Sequence, residues 1–234
     1  MSSVDLVITK NPKSIFAEAI RGIHTNLAFA SIDKTVKIIL STSPEAGDGK
    51  SFINSNLAVA YSQLGKKVLI IDADLRKGRL HDIFEVPNLA SSGYTNLILN
   101  YNDTIDLDNY ICKSSIENVS VLPIGPIPPN PVELLSSDNN ARLLKKLRSK
   151  YDLIILDCPP VIGLSDALIL TKYSDINIVV VSTKKTKMEN LERTKKLFEQ
   201  ANSKIDGVIL NKAVMGGNHY YSYYYNNEYY SNEK

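Results

Sequence analysis

The chain has 234 residues, 44% of them hydrophobic and 22% charged, with a formal net charge of +2. That length supports one sizeable core and is short for two domains, and the near-neutral balance lacks the basic footprint of a nucleic-acid binder, so no nucleic-acid partner is expected. No apolar stretch reaches the ~18–20 residues of a membrane helix, the start has no signal-peptide core, and Cys112 and Cys158 lack both metal-ligand spacing and a disulfide framework, so the expectation is a cytoplasmic protein with inert thiols.

Taken in chain order, residues 12–30 carry apolar side chains at Phe16, Ala19, Ile20, Ile23 and Leu27, the spacing of one helix face, opened by Pro12. The short apolar run 36–41 reads as a strand, a glycine-containing loop follows, and 51–64 again has helical spacing. Gly65 ends that helix, and the continuously apolar run 67–72 predicts a buried parallel strand. Further strands are expected at 119–122, 153–156, 176–181 and 208–210, and helices at 138–149, 165–173 and 187–201. Five prolines between Pro123 and Pro131 predict a stiff connecting loop. The alternation implies an α/β fold, a mainly parallel sheet with helices on both faces. Residues 1–215 read as a single domain and 216–234 as a flexible, tyrosine-rich tail.

Between the first strand and its helix lies Ser43-Pro-Glu-Ala-Gly-Asp-Gly-Lys-Ser51, a P-loop pattern in the right context, with Pro44 in place of the usual first glycine. Residues Ala46, Gly47, Asp48, Gly49, Lys50, Ser51 and Phe52 are the candidate nucleotide-binding segment. Backbone N–H groups point at phosphate, Lys50 reaches the β/γ phosphates and the Ser51 hydroxyl ligates Mg²⁺. Asp72 and Asp74 follow the second apolar strand and Asp157 ends another, so three carboxylates are expected on the carboxyl edge of the sheet, where open parallel sheets bind ligands. Acids there hold Mg²⁺, directly or through water, or accept a proton from an attacking hydroxyl. Lys50, Asp72, Asp74 and Asp157 are the candidate catalytic residues, and Ser51, Asp72, Asp74 and Asp157 the candidate metal ligands, for ATP and Mg²⁺ as substrate and cofactor. Seven of the last fifteen residues are tyrosine (Tyr220, Tyr221, Tyr223, Tyr224, Tyr225, Tyr229 and Tyr230), a ready set of phosphoacceptors.

Apolar triplets before Asp72-x-Asp74-x-Arg76 and before Asp157-x-Pro159-Pro160, together with the P-loop, the segments 125–135 and 207–212 and the terminal tyrosines, resemble the bacterial tyrosine kinases of capsule and exopolysaccharide synthesis, of the cytoplasmic CapB/CpsD type, a P-loop group similar to MinD and ParA. The resemblance implies an ATP-dependent protein-tyrosine kinase that autophosphorylates its tail, in trans within a ring of copies (an octamer is one size it allows), and regulates polysaccharide synthesis and export. It implies a base at Asp72 or Asp74, a Walker B acid at Asp157 and an adenine contact at Asn211. It also implies a membrane adaptor of the polysaccharide co-polymerase type that recruits the chain to the inner face of the membrane, and a tyrosine phosphatase as antagonist. The family's oligomerisation motif falls on Glu18 and Arg21, with His24 in place of a second arginine. A MinD/ParA-like ATPase switch without kinase activity is the alternative, and Glu45, standing where that group has its signature lysine, speaks against it.

Overall fold

In the computed structural model, which describes residues 6–30 and 35–213, the strands are β1 (Ile38–Thr42), β2 (Val68–Asp72), β3 (Cys112–Lys113), β4 (Val119–Leu122), β5 (Leu153–Asp157), β6 (Ile176–Ser182) and β7 (Gly207–Asn211). They form one sheet in the order β3-β4-β2-β5-β1-β6-β7, parallel except for the β3 edge strand. The apolar runs of β1, β2, β5 and β6 are buried throughout, whereas the edge strand β7 alternates and leaves Val208 and Leu210 exposed. Leu69 and Ile71 of β2, Ile154 and Leu156 of β5, and Ile38 and Leu40 of β1 enter one apolar cluster, while Val68, Ile70, Leu153, Ile155 and Ile39 enter the cluster on the opposite face. Each such side chain contributes about 1.5–3 kcal/mol on leaving water.

The helices are α1 (Val7–Lys10), α2 (Ile15–Ala30), α3 (Lys50–Gln63), α4 (Leu80–Phe84), α5 (Gly93–Leu99), α6 (Pro131–Ser136), α7 (Asp138–Lys150), α8 (Asp166–Leu170) and α9 (Met188–Gln200). α7 shows how local chemistry sets an end: the Ser137 hydroxyl accepts from the Asn140 N–H at 3.2 Å, and Leu143, Leu144 and Leu147 bury one face. The proline segment runs without regular structure to Pro131, which opens α6 at a position where its missing N–H is harmless.

One expectation needs correction. The buried stripe of α2 is Ala17, Ile20 and Leu27, with Ile23 and His24 half-buried, whereas Phe16 is 60% exposed and Ala19 also faces solvent. The 3-4-3 spacing through residues 17, 20, 24 and 27 faces α3, where the His24 ring meets Tyr61 edge-on at 4.5 Å. Phe16 falls off that line.

No helix among the described residues is long and apolar enough to cross a membrane. Cys112 and Cys158 are free thiols; burial pushes both upward in pKa, Cys158 strongly, which keeps them protonated and unreactive. The seven tail tyrosines and the proposed boundary between residues 215 and 216 lie outside the described residues.

Candidate functional site

Sheet order builds the site. The chain leaves β1 into the P-loop and α3, crosses over β5 and returns as β2, so the carboxyl ends of β2, β5 and β1 lie side by side. Asp72 is the register partner of Asp157, and Asp157 of Ser41, which brings two carboxylates level with the root of the P-loop. Adjacent strands are about 4.8 Å apart, so these groups belong to one small rim.

The P-loop follows from its residues. Gly47 and Gly49 adopt left-handed φ values of 86° and 98°, a region costly for other residues. A Cβ on Gly49 would also collide with the Asn211 carboxamide. Asp48 is fully buried and ties the loop together: one carboxylate oxygen accepts from the Glu45 N–H at 3.1 Å, the other from the Thr186 hydroxyl at 3.0 Å. Asn211 Nδ2 donates to the Asp48 carbonyl at 2.8 Å, Lys185 Nζ to the Ala46 carbonyl at 2.7 Å and Lys212 Nζ to the Gly47 carbonyl at 2.7 Å. Lys50, in the first turn of α3, is 9% exposed, and Ser51 and Phe52 beside it are half-buried.

The carboxylates differ in environment. Asp157 is buried and accepts from Asn54 Nδ2 at 2.7 Å; burial raises its pKa, opposed by the Lys50 ammonium and by hydrogen bonds from Ser51 and Asn54. Asp72 is fully buried. Its Oδ2 accepts from the Leu80 N–H at 2.9 Å while Oδ1 has no partner. Burial and then the Asp157 charge hold Asp72 well above the usual carboxylate range. A buried, unpartnered carboxylate oxygen calls for a proton or a cation, and that donor fits Mg²⁺. A Cβ on Gly78 would collide with Ile124 Cγ2 and the Asp72 carboxyl, so the glycine lets the chain pass close beside that acid. Asp74 is half-buried, its Oδ1 accepting from the N–H groups of Arg76 at 3.2 Å and Lys77 at 3.0 Å. Among the described residues no three acid, histidine or cysteine side chains form a metal cage by themselves. A Mg²⁺ site completed by phosphate oxygens and water needs none.

Sequence reasoning missed Asp166, a fully buried carboxylate in the first turn of α8 that pairs in a fork with Arg76 Nε and Nη2 at 3.2 and 3.3 Å. It also missed the donors Lys185, Thr186 and Lys212, because contacts across more than 130 residues leave no trace in local spacing. Elsewhere on the surface, Arg148 pairs with Asp175 at 2.7 Å and Lys146 donates to the Asp103 carbonyl at 2.8 Å. Glu18 and Arg21 form an ion pair within α2, both side chains 38% exposed, and Arg21 also donates to the Pro12 carbonyl at 2.9 Å. His24, turned onto Tyr61, has a pKa lowered by burial.

Strand, glycine-turned loop and helix, with acids on the neighbouring strand ends, define a P-loop nucleotide-binding protein. Residues 36–210 match the AAA domain family model. Among solved structures, the chimerical protein CapA2B2 is 39% identical, with a TM-score of 0.83 over 91% of both chains. The septum site-determining protein MinD of Pyrococcus horikoshii OT3, complexed with Mg-ADP, is 27% identical, with a TM-score of 0.59 over 74% of this chain and 69% of that one. The tyrosine-protein kinase YwqD of Bacillus subtilis (strain 168) is 39% identical over 207 residues, 88% of this chain and 85% of the relative. The chain belongs to the family of bacterial tyrosine-protein kinases that includes YwqD.

Proposed function

We propose that this chain transfers the γ-phosphoryl group of ATP to tyrosine hydroxyls, those of its own tail first among them, and does so in trans within a ring of copies. The observation that supports it most is the level row of Asp72, Asp157 and the P-loop root on three adjacent strands. Lys50 and the P-loop N–H groups bind and orient the phosphates. Ser51, Asp72 and Asp157, with Asp74 at the margin, are the residues that would hold Mg²⁺, which when bound neutralises charge on the phosphates. The phenolic oxygen forms a bond to the γ-phosphorus as the bond to the bridging oxygen breaks; ADP leaves, and the phenolic proton passes to a carboxylate. Asp72 and Asp74 are the two carboxylates proposed for that role; Asp74 is half-buried, with its Oδ1 accepting from the N–H groups of Arg76 and Lys77. Asn211 spends one amide proton on Asp48 and keeps the other for adenine.

The exposed Ile15, Phe16 and Phe29 of α2, beside Glu18 and Arg21, suit the contact between copies. A membrane adaptor of the co-polymerase type recruits this cytoplasmic chain to the inner membrane face, a tyrosine phosphatase resets the tail, and the cycle regulates capsular or extracellular polysaccharide synthesis and export. Incubation with Mg-ATP followed by intact-mass measurement tests the reading. Steps of one phosphate each, absent in Lys50→Met, are expected, and ADP release at unchanged protein mass would refute it in favour of an ATPase switch. In mixtures, a Lys50→Met chain that stays unmodified beside an active, tail-deleted partner would exclude transfer in trans.

A further inference from the structure

Across a planar trans peptide the C=O and N–H bonds point in opposite directions, so fixing a carbonyl fixes the N–H that follows it. In the P-loop the carbonyls of Ala46, Gly47 and Asp48 are three in a row, and each is held from outside the loop, by Lys185 Nζ at 2.7 Å, Lys212 Nζ at 2.7 Å and Asn211 Nδ2 at 2.8 Å. The N–H groups of Gly47, Asp48 and Gly49 are thereby turned to the other side, and among the described residues none of the three has a protein acceptor. Three consecutive inward N–H groups make an anion nest. The donors come from two elements, the loop after β6 and the end of β7. Thr186, next to Lys185, clamps the Asp48 side chain from the same direction.

We propose that Lys185 and Lys212, with Asn211, are positioning residues of the phosphate loop: they hold its outer carbonyls so that its inner N–H groups are aimed at phosphate before the nucleotide arrives. This rests on the nucleotide-binding reading above. A preorganised nest avoids the cost of ordering a glycine-rich loop during binding, so the benefit appears as affinity for phosphate-bearing ligands. Both ammoniums are exposed and sit on the rim, away from the core, so their loss leaves the fold intact. Lys212 is also near the root of the tyrosine tail, so the same bond ties the loop to the chain that carries the proposed acceptors.

The test is calorimetric titration of the full chain and of Lys185→Met, Lys212→Met and the double variant with two probes, Mg-ADP and Mg-pyrophosphate. Methionine keeps the apolar stem and removes the donor. The double variant should bind both probes about tenfold more weakly, at an unchanged ligand-free melting temperature, and Lys→Arg at both positions should restore affinity to within about twofold. Equal affinity of wild type and double methionine variant would overturn the inference while leaving the nucleotide reading in place. A loss confined to Mg-ADP would also overturn it, by putting the lysines on the nucleoside. Wild-type protein that binds neither probe would overturn the nucleotide reading itself.

Discussion

Asp72→Asn separates the demands of folding from those of chemistry. In the chain without metal or nucleotide, Asp72 is fully buried with one carboxylate oxygen unpartnered, beside the Asp157 carboxylate, and both conditions raise its proton affinity. A folded-state pKa above the unfolded value of ~4 means that the folded chain keeps a proton the unfolded chain has released, so stability falls as pH rises through that window. One proton sets the limit at about 1.4 kcal/mol per pH unit, and for a domain of this size 1 kcal/mol moves the melting temperature by about 2–4 °C. The neutral asparagine removes this dependence. Melting curves in EDTA between pH 5 and 8 should therefore show the variant gaining on wild type by up to about 3–6 °C per pH unit, until ionisation of Asp72 in the folded chain caps the difference. Phosphorylation by the same variant should fall at least about a hundredfold, as for loss of a general base or metal ligand. A gap that stays constant with pH, or a variant that loses ground as pH rises, would refute the burial argument.

Gly49→Ala puts a Cβ on the Asn211 carboxamide at a φ of 98°, so Mg-ADP affinity should drop at least about tenfold; unchanged titration curves would mean the loop adapts freely. Asp166→Ala leaves the Arg76 fork without its buried partner and should lower stability by about 1–3 kcal/mol, a few degrees in a melt, with a loss of kinase rate through the displaced Asp74 loop; an unaltered melt and rate would make the pair ornamental. Tyr94→Phe removes the 2.7 Å hydrogen bond from the fully buried Tyr94 hydroxyl to Asn140 Oδ1 and should cost about 1–3 kcal/mol in denaturant unfolding, whereas a cost near zero would show the amide finding another donor.

The central strands and long helices were legible because their cause is local. Continuous apolar runs such as 68–71 and 153–156 favour a doubly covered sheet, and the leucines of α7 declare one face. α4, α5 and α6, of five to seven residues, were not legible, since single turns are held by what they pack on more than by periodicity. The misjudged face of α2 has the same origin: Phe16 is apolar enough to join a stripe on paper, while contact with α3 selects Ala17. Of the candidate site residues, Lys50, Ser51, Asp72, Asp74 and Asp157 follow strand ends or open a helix, positions that local spacing reveals. Asp166, Lys185, Thr186 and Lys212 act across the fold, and only the sheet order brings them to the rim.

A crystal structure of the full chain with Mg-ADP tests the shared rim most directly. The account predicts the phosphates seated on the N–H groups of residues 47–51, with Lys50 on the terminal phosphate and Mg²⁺ on the Ser51 hydroxyl, within direct or single-water reach of Asp72 and Asp157. Nucleotide bound elsewhere on the chain, or a Mg²⁺ remote from both acids, would contradict it.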